Sequence, residues 1–426
     1  MIECRTYRWL GHHVRDTEVQ YRPEEEIETW KKRCPVEACK QRLLRAEVLT
    51  PNDLNQIDQE VKAKIDKAEE FARDSPYPTP EAASKYVYAP QAREMVLQDT
   101  NNTRRIKYSE AVCEALREEM RRDDRVFVLG EDIGFYGGIF MATKGLIDEF
   151  GPERVRDTPI SETAIIGATI GSALTGMRPV AEIMYMDFLN LCMDQLLNHA
   201  PKIRYMTAGQ LKLPMVIRTQ YSLGRLLGAQ HSQFFPASLM QFPGLKIALP
   251  STPYDAKGLL KTAIRDDNPV LFVECGQLYM HSGPVPEKEY TLRFGEIDIK
   301  RKGDDATVIA LSNMVPKALT AAIKLQDEGV DVEVIDPRTL VPLDRQGIIK
   351  SVKKTGRLIV AEESCKTCGV GAEISALIVE EAFDYLDAPV LRVAAPDMPA
   401  PFSPPLNEAY IPNENSVIEA VKKIMR

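Results

Sequence analysis

Apolar positions change rhythm twice along the chain. Over residues 53–73 they fall at Ile57, Val61, Ile65, Ala68 and Phe71, a spacing that predicts one helix with a single stripe buried against a neighbour. Pro23-Glu24-Glu25-Glu26 predicts an earlier helix start, with proline in the first turn and acids at the positive end of the helix dipole. Between residues 75 and 102 the periodicity dissolves into prolines and small polar residues, which reads as a linker. From residue 106 onward, short apolar runs alternate with helical stretches. Strands are expected at 126–129, 179–183, 215–217, 246–249 and 269–273, then again at 306–311, 330–335, 358–361 and 390–393. Helices are expected over 108–122, after Ser161, and as one long element from about Asp187. Apolar strands alternating with helices predict mostly parallel sheets covered on both faces, and two such rounds predict two α/β domains joined near 293–305.

Composition narrows the class. The chain has 426 residues, 44% of them hydrophobic and 27% charged, which suits a globular protein of two or three domains. A net charge of −8 gives no general attraction to nucleic acid or to an anionic membrane. No apolar run approaches the roughly 20 residues of a membrane helix, and MIECRTYRW lacks the apolar core of a signal peptide. The cytoplasm is therefore the expected location. Of the cysteines only Cys365 and Cys368 stand in a suggestive CxxC spacing. Zinc would want a second pair or nearby histidines. A redox pair and two unrelated thiols at a strand end remain as alternatives.

The stretch DTPISE at 157–162 carries the first candidate chemistry. Proline enforces an extended approach, Ser161 suits an N-cap, and Glu162 falls in the first turn of a small-residue helix. A carboxylate there is either a simple capping acid or a functional group held ionised by the dipole and by backbone donors. Gly167, Gly171 and Gly176 follow it. Each glycine costs a helix about 1 kcal/mol relative to alanine, which points to close packing or close ligand approach.

Six stretches then occur in order: GED at 130–132, DTPISE at 157–162, RPVAEIMYMDF at 178–188, AQHSQ at 229–233, PGLKIALPSTP at 243–253 and AKGLL at 256–260. From about residue 104 to the C-terminus the chain resembles the β subunit of the thiamine-diphosphate-dependent E1 component of 2-oxo acid and acetoin dehydrogenase complexes. The opening TYRWLGHHVRDTEVQYR at 6–22 resembles the cofactor-bordering loop of the α subunit of the same enzymes, and the helices after it resemble that subunit's C-terminal end. The resemblance implies an α/β fold: a transketolase-like pyrimidine-binding domain at 104–290 and a transketolase C-terminal-like domain at 291–426. An α-like helical segment at 1–75 and a proline-rich linker at 76–103 would precede them.

It also implies roles. Glu162 would match the acid that bonds the pyrimidine ring nitrogen of thiamine diphosphate, Phe188 would pack on that ring, and Glu131 would support the network joining paired sites. His231 would match the β-subunit histidine at the cofactor mouth, His12 the catalytic histidine of the α loop, and Arg8 the loop arginine that reaches the diphosphate. Asp266 and Asn268, with the carbonyls of Met215, Ala263 and Ile264, match a potassium-binding turn found in some members. The Mg²⁺ ligands of the family belong to a Gly-Asp-Gly…Asn-Asn motif in the front of the α subunit, so a partner chain is expected to carry that part. The activity implied is decarboxylation of a 2-oxo acid such as pyruvate, or cleavage of acetoin, followed by reductive acylation of a lipoyl-bearing E2. A hetero-oligomer with two copies of each chain is the expected assembly. The rival expectation is a non-catalytic scaffold that has lost the diphosphate half-site.

Overall fold

The computed structural model describes residues 4–11, 22–90, 103–138 and 140–426. Two compact units divide between Pro80 and Glu81. The first holds three helices, α1 (Glu24–Lys31), α2 (Pro35–Arg45) and α3 (Pro51–Asp74). Pro23 precedes α1 and three glutamates fill its first turn. A capping box opens α3: the Thr50 hydroxyl accepts from the Asp53 N–H at 3.2 Å, and the Asp53 carboxylate accepts from the Thr50 N–H at 2.8 Å. The expected burial of the α3 stripe is corrected here, since Ile57, Val61, Ile65 and Phe71 are all exposed, Phe71 by 76%. The reason is that α1–α3 bury only Ile27 among the described residues, so no neighbouring helix of this unit covers the stripe.

The second unit begins with β1 (Thr103–Lys107), α4 (Tyr108–Arg122), β2 (Val126–Gly130), α5 (Leu146–Phe150), β3 (Val155–Asp157), α6 (Glu162–Leu174) and β4 (Arg178–Ile183). It continues through α7 (Ile203–Met206), β5 (Val216–Tyr221), α8 (Pro236–Leu239), β6 (Lys246–Ala248), α9 (Pro253–Arg265), β7 (Val270–Cys275) and β8 (Ser282–Pro286). A second round carries β9 (Asp298–Arg301), β10 (Ala306–Ala310), α10 (Met314–Gln326), β11 (Val332–Asp336), β12 (Thr339–Val341) and α11 (Arg345–Thr355). It ends with β13 (Leu358–Cys365), α12 (Val370–Ala382), β14 (Leu391–Ala395), α13 (Pro404–Tyr410) and α14 (Glu414–Ile424).

Among the described residues β1 and β8 form an antiparallel pair of their own, and the other strands form a seven-stranded sheet in the order β12-β6-β7-β5-β4-β2-β3 and a five-stranded sheet in the order β14-β13-β10-β11-β9. Within these two larger sheets pairings are parallel except at the edges, where β12 and β9 run antiparallel. The central strands β2, β4, β5 and β7 are buried along their whole length, as strands covered on both faces must be. Because β12 comes from the second round yet pairs with β6, the two rounds are joined by a strand as well as by chain connection.

Two expectations change. The long helix from Asp187 is instead a 3₁₀ segment (Met186–Cys192), a π-helical turn (Asp194–His199) and the short α7. Pro201 lacks an N–H and restricts the residue before it, which breaks the run. The expected join at 293–305 contains β9, a four-residue polar edge strand without an apolar signature. The last described part of the linker docks firmly: Ala89 is buried, its N–H donates to Asn268 Oδ1 at 2.6 Å, and its carbonyl accepts from Asn268 Nδ2 at 3.2 Å.

Candidate active site

In open parallel sheets the carboxyl ends of the strands collect loops on one side, and the candidate residues follow that rule. Glu131 leaves the end of β2, Glu162 begins α6 just beyond β3, Phe188 follows β4, and His231 lies in the loop after β5. Glu162 is 7% exposed, and its carboxylate accepts no hydrogen bond among the described residues. Ser161 stands at the N-cap position without making a side-chain capping bond. Two neighbours register the Glu162 charge. Burial and then that charge push the Glu131 carboxyl up, and the same two causes push the buried Cys192 thiol up to about 12. Cys192 ends the 3₁₀ segment that carries Phe188, so that segment brings the ring and the carboxylate to one region.

Phe188 and His231 meet directly. Their rings lie edge-to-face at 5.3 Å, and Tyr185 meets both edge-to-face, Phe188 at 5.7 Å and His231 at 5.0 Å. Asp187 sits under this cluster. Its Oδ1 accepts from the Gln233 N–H at 3.2 Å, while Oδ2 is buried with no partner. Burial pushes its carboxyl up, and the Gln233 N–H and nearby His231 work against that shift. Sequence reasoning passed over Tyr185 and Asp187, though both belong to the quoted YMDF.

Below the strand ends lies a buried ionic hub that sequence reasoning also missed. Arg218, 1% exposed on β5, donates to Glu182 at 2.6 Å and to both oxygens of Glu274 at 2.7 and 3.0 Å. Tyr279 donates a further bond to Glu274 at 2.9 Å. Burial works against the Arg218 charge, but the two carboxylates overcome it and hold the guanidinium protonated. The signal was present: an arginine amid the apolar run VIRTQY has no place on a buried strand unless it is paired.

At the glycines of α6 and just after it, one of the two expected reasons, close packing inside the chain, is not met among the described residues. A Cβ at Gly167, Gly171 or Gly176 would meet nothing within 4 Å, so no packing inside this chain requires the first two; Gly176 has φ +98°, a conformation that favours glycine.

The turn expected to hold potassium is well supplied with protein donors. Arg178 donates to the Ile264 carbonyl at 2.9 Å and the Asp266 carbonyl at 2.8 Å, and Lys246 pairs with the Asp266 carboxylate at 2.6 Å. Asn268 donates to Asp266 Oδ1 at 2.6 Å besides clamping Ala89. The Met215 and Ala263 carbonyls accept one N–H each, from Val270 and Asp266, and like every carbonyl keep a second lone pair.

In the first unit, Tyr7 stacks on Trp30 at 5.2 Å, Arg22 lies over Tyr7, and Arg22 donates to the Leu10 carbonyl and the Arg8 carbonyl. Arg8 is exposed there, and His12 lies outside the described residues.

Residues 104–281 match the transketolase pyrimidine binding domain, 295–417 the transketolase C-terminal domain, and 1–81 the dehydrogenase E1 component. Over 75% of its length the chain is 43% identical to the acetoin:2,6-dichlorophenolindophenol oxidoreductase subunit beta of Bacillus subtilis (strain 168), covering 97% of that protein. It is 46% identical to the pyruvate dehydrogenase E1 component subunit beta of Rickettsia felis, again over 75% of this chain and 98% of the relative. The chain belongs to the E1 β-subunit family of thiamine-diphosphate-dependent dehydrogenases. An E1 α-type segment precedes its β part. The 2-oxoisovalerate dehydrogenase subunit beta of Bacillus subtilis (strain 168) is 44% identical over 75% of the chain and 98% of its own length. A split-gene transketolase, solved as an inactive β4 tetramer, shares the fold of this E1 chain at a TM-score of 0.61 and 24% identity, over 75% of this chain and 98% of its own. No helix among the described residues is long and apolar enough to cross a membrane.

Proposed function

We propose that this chain is the catalytic β-type subunit of an E1 enzyme that decarboxylates a 2-oxo acid of the pyruvate kind or cleaves acetoin, and passes the acyl group to a lipoyl-bearing E2. The observation that carries it is Glu162: a 7% exposed glutamate at a helix start whose carboxylate takes no hydrogen bond from the described residues, packed beside the segment that carries Phe188. A carboxylate at a helix start that no protein group engages keeps its lone pairs for the ring nitrogen of a ligand. That acceptor and the Phe188 ring fit thiamine diphosphate, which when bound would supply the carbon nucleophile for the substrate carbonyl.

The residues of this chain then divide the remaining work. Glu162 would hold the pyrimidine through its carboxylate, and Phe188 would offer that ring a flat apolar surface. Glu131, its carboxyl raised by burial and then by the Glu162 charge, would support the network joining paired sites. His231, which meets the Tyr185 and Phe188 rings edge-to-face, would take or give a proton near the cofactor. On the family resemblance Arg8 would serve the diphosphate and His12 the substrate. Mg²⁺ is held by the partner chain carrying the N-terminal part of E1 α, in an assembly with two copies of each chain, in the cytoplasm. The working parts divide as 1–75, 76–103, 104–290 and 291–426.

Purified from its own cells, the chain is expected to bring a second polypeptide and bound thiamine diphosphate, read by mass spectrometry; a lone homo-oligomer without cofactor would overturn the proposal. Dye-reduction rates with pyruvate against acetoin then select the substrate. Met215, Ala263, Ile264, Asp266 and Asn268 are proposed as the potassium turn, with their spare lone pairs as ligands. Its sign is a thermal midpoint higher in potassium chloride than in choline chloride. Equal midpoints assign the turn to Arg178 and Lys246 alone.

A further inference from the structure

The thiol pair in the second sheet has no part in the proposed reaction, yet it is built into a cavity. β13 ends at Cys365, α12 begins at Val370, and both thiols sit on or beside the tight connection between strand and helix. Both line a cavity of about 520 Å³ whose other walls include Ser232, Gln233, Phe234 and Tyr410. The Ser232 hydroxyl is 3% exposed and has no partner among the described residues, so one wall of the cavity presents an unused polar group.

The connection is held rigidly. The Thr367 N–H and hydroxyl both donate to the Asp397 carboxylate, at 3.0 and 2.7 Å. The Lys366 N–H donates to the Ala395 carbonyl at 3.0 Å, and Arg392 donates to the Lys366 carbonyl at 2.7 Å. Cys368 adopts φ +55°, a conformation non-glycine residues seldom take. The N–H groups of Val370 and Gly371 are already taken by the buried Glu362 carboxylate at 2.9 and 2.8 Å, so the helix start offers nothing to an anion. That leaves the two sulfurs as the reactive groups of the cavity. They are also unequally placed: Cys368 is exposed, while Cys365 is half-buried with its sulfur 3.9 Å from the Tyr410 hydroxyl. The other cysteines of this unit, Cys113, Cys192 and Cys275, are buried, and burial raises each thiol, the latter two to about 12.

We propose that Cys365 and Cys368 form a reversible dithiol–disulfide site that exchanges with small disulfides of the glutathione type. The Cys368 thiolate attacks one sulfur of the small disulfide, whose S–S bond breaks and releases one half as a thiol. The Cys365 thiolate then attacks the Cys368 sulfur of the mixed disulfide, the second half leaves as a thiol, and the Cys365–Cys368 bond forms. The protein dithiol is oxidised, one small disulfide is reduced to two thiols, and the two protein protons pass to those products. Exposure selects the attacker and half-burial the resolving partner.

The test uses the full chain and does not depend on turnover, so its failure is separate from failure of the E1 proposal. The chain is equilibrated with reduced and oxidised glutathione in varied ratio, quenched in acid, alkylated and mapped by mass spectrometry. The peptide carrying Cys365 and Cys368 is expected to lose two hydrogens as one step, reversed by dithiothreitol, while Cys113, Cys192 and Cys275 stay alkylatable. Cys365→Ser is expected to strand a glutathione adduct on Cys368. Independent adducts on Cys365 and Cys368, or two free thiols at ratios where exposed Cys4 and Cys39 already carry glutathione, would overturn the proposal.

Discussion

Glu162→Gln is expected to lower turnover of the complete enzyme by about 10²–10⁴-fold, the range typical of a lost proton-transfer group, while the thermal midpoint stays level. The two halves have one cause. Glutamine keeps the shape of the side chain and removes its charge. Because no donor reaches the carboxylate within the described residues, the change unpairs nothing in the fold. The Glu131 carboxyl, relieved of its charged neighbour, should fall back toward an ordinary value. Dye-linked rates and calorimetry on the same preparation check both halves. An unchanged rate would return Glu162 to the status of a helix cap, and a collapsed midpoint would show a structural role instead.

Arg218→Met is expected to act in the opposite sense, destabilising the fold by about 3–5 kcal/mol, as removal of one partner from a buried ionic group does. Methionine fills much of the space but leaves Glu182 and Glu274 facing each other without a cation. Burial already pushes the Glu274 carboxyl up, against the pull of Arg218, and losing the arginine raises it further. A carboxyl whose folded pKa lies above its unfolded value destabilises the fold above that folded pKa and is relieved as pH falls through it. The deficit should therefore be largest near neutral pH and shrink on mild acidification. Urea midpoints across pH measure this. Adding Glu182→Gln and Glu274→Gln to Arg218→Met should recover much of the loss. A deficit independent of pH would place its origin in packing rather than charge.

How far these features could be read from the chain depended on the kind of force that makes each one. Long buried strands and capped helices were legible, since their cause is local: 126–129 and 306–311 are continuous apolar runs, and α4 falls on residues 108–122 as expected. Edge strands β1, β3, β9 and β12 were not, because each is three to five residues long and exists only through pairing with a distant partner. The stretch after Asp187 read as one helix because its apolar spacing is helical, yet Pro201 and close packing on α6 divide it. At the candidate site, the motif residues Glu162, Phe188 and His231 were legible. The Arg218 hub and the Asp187–Gln233 contact were not, because they join residues 36 to 56 positions apart whose meeting only the sheet order determines.

The open stripe on α3 bears on how the chain fares in a living cell. A row of Ile57, Val61, Ile65 and Phe71 facing water is the kind of surface that chaperones hold and proteases sample. A copy synthesised without something to cover that row would be triaged even with every other part of it correctly folded. Steady-state abundance of the protein would then track the supply of its covering surface more closely than its own rate of synthesis.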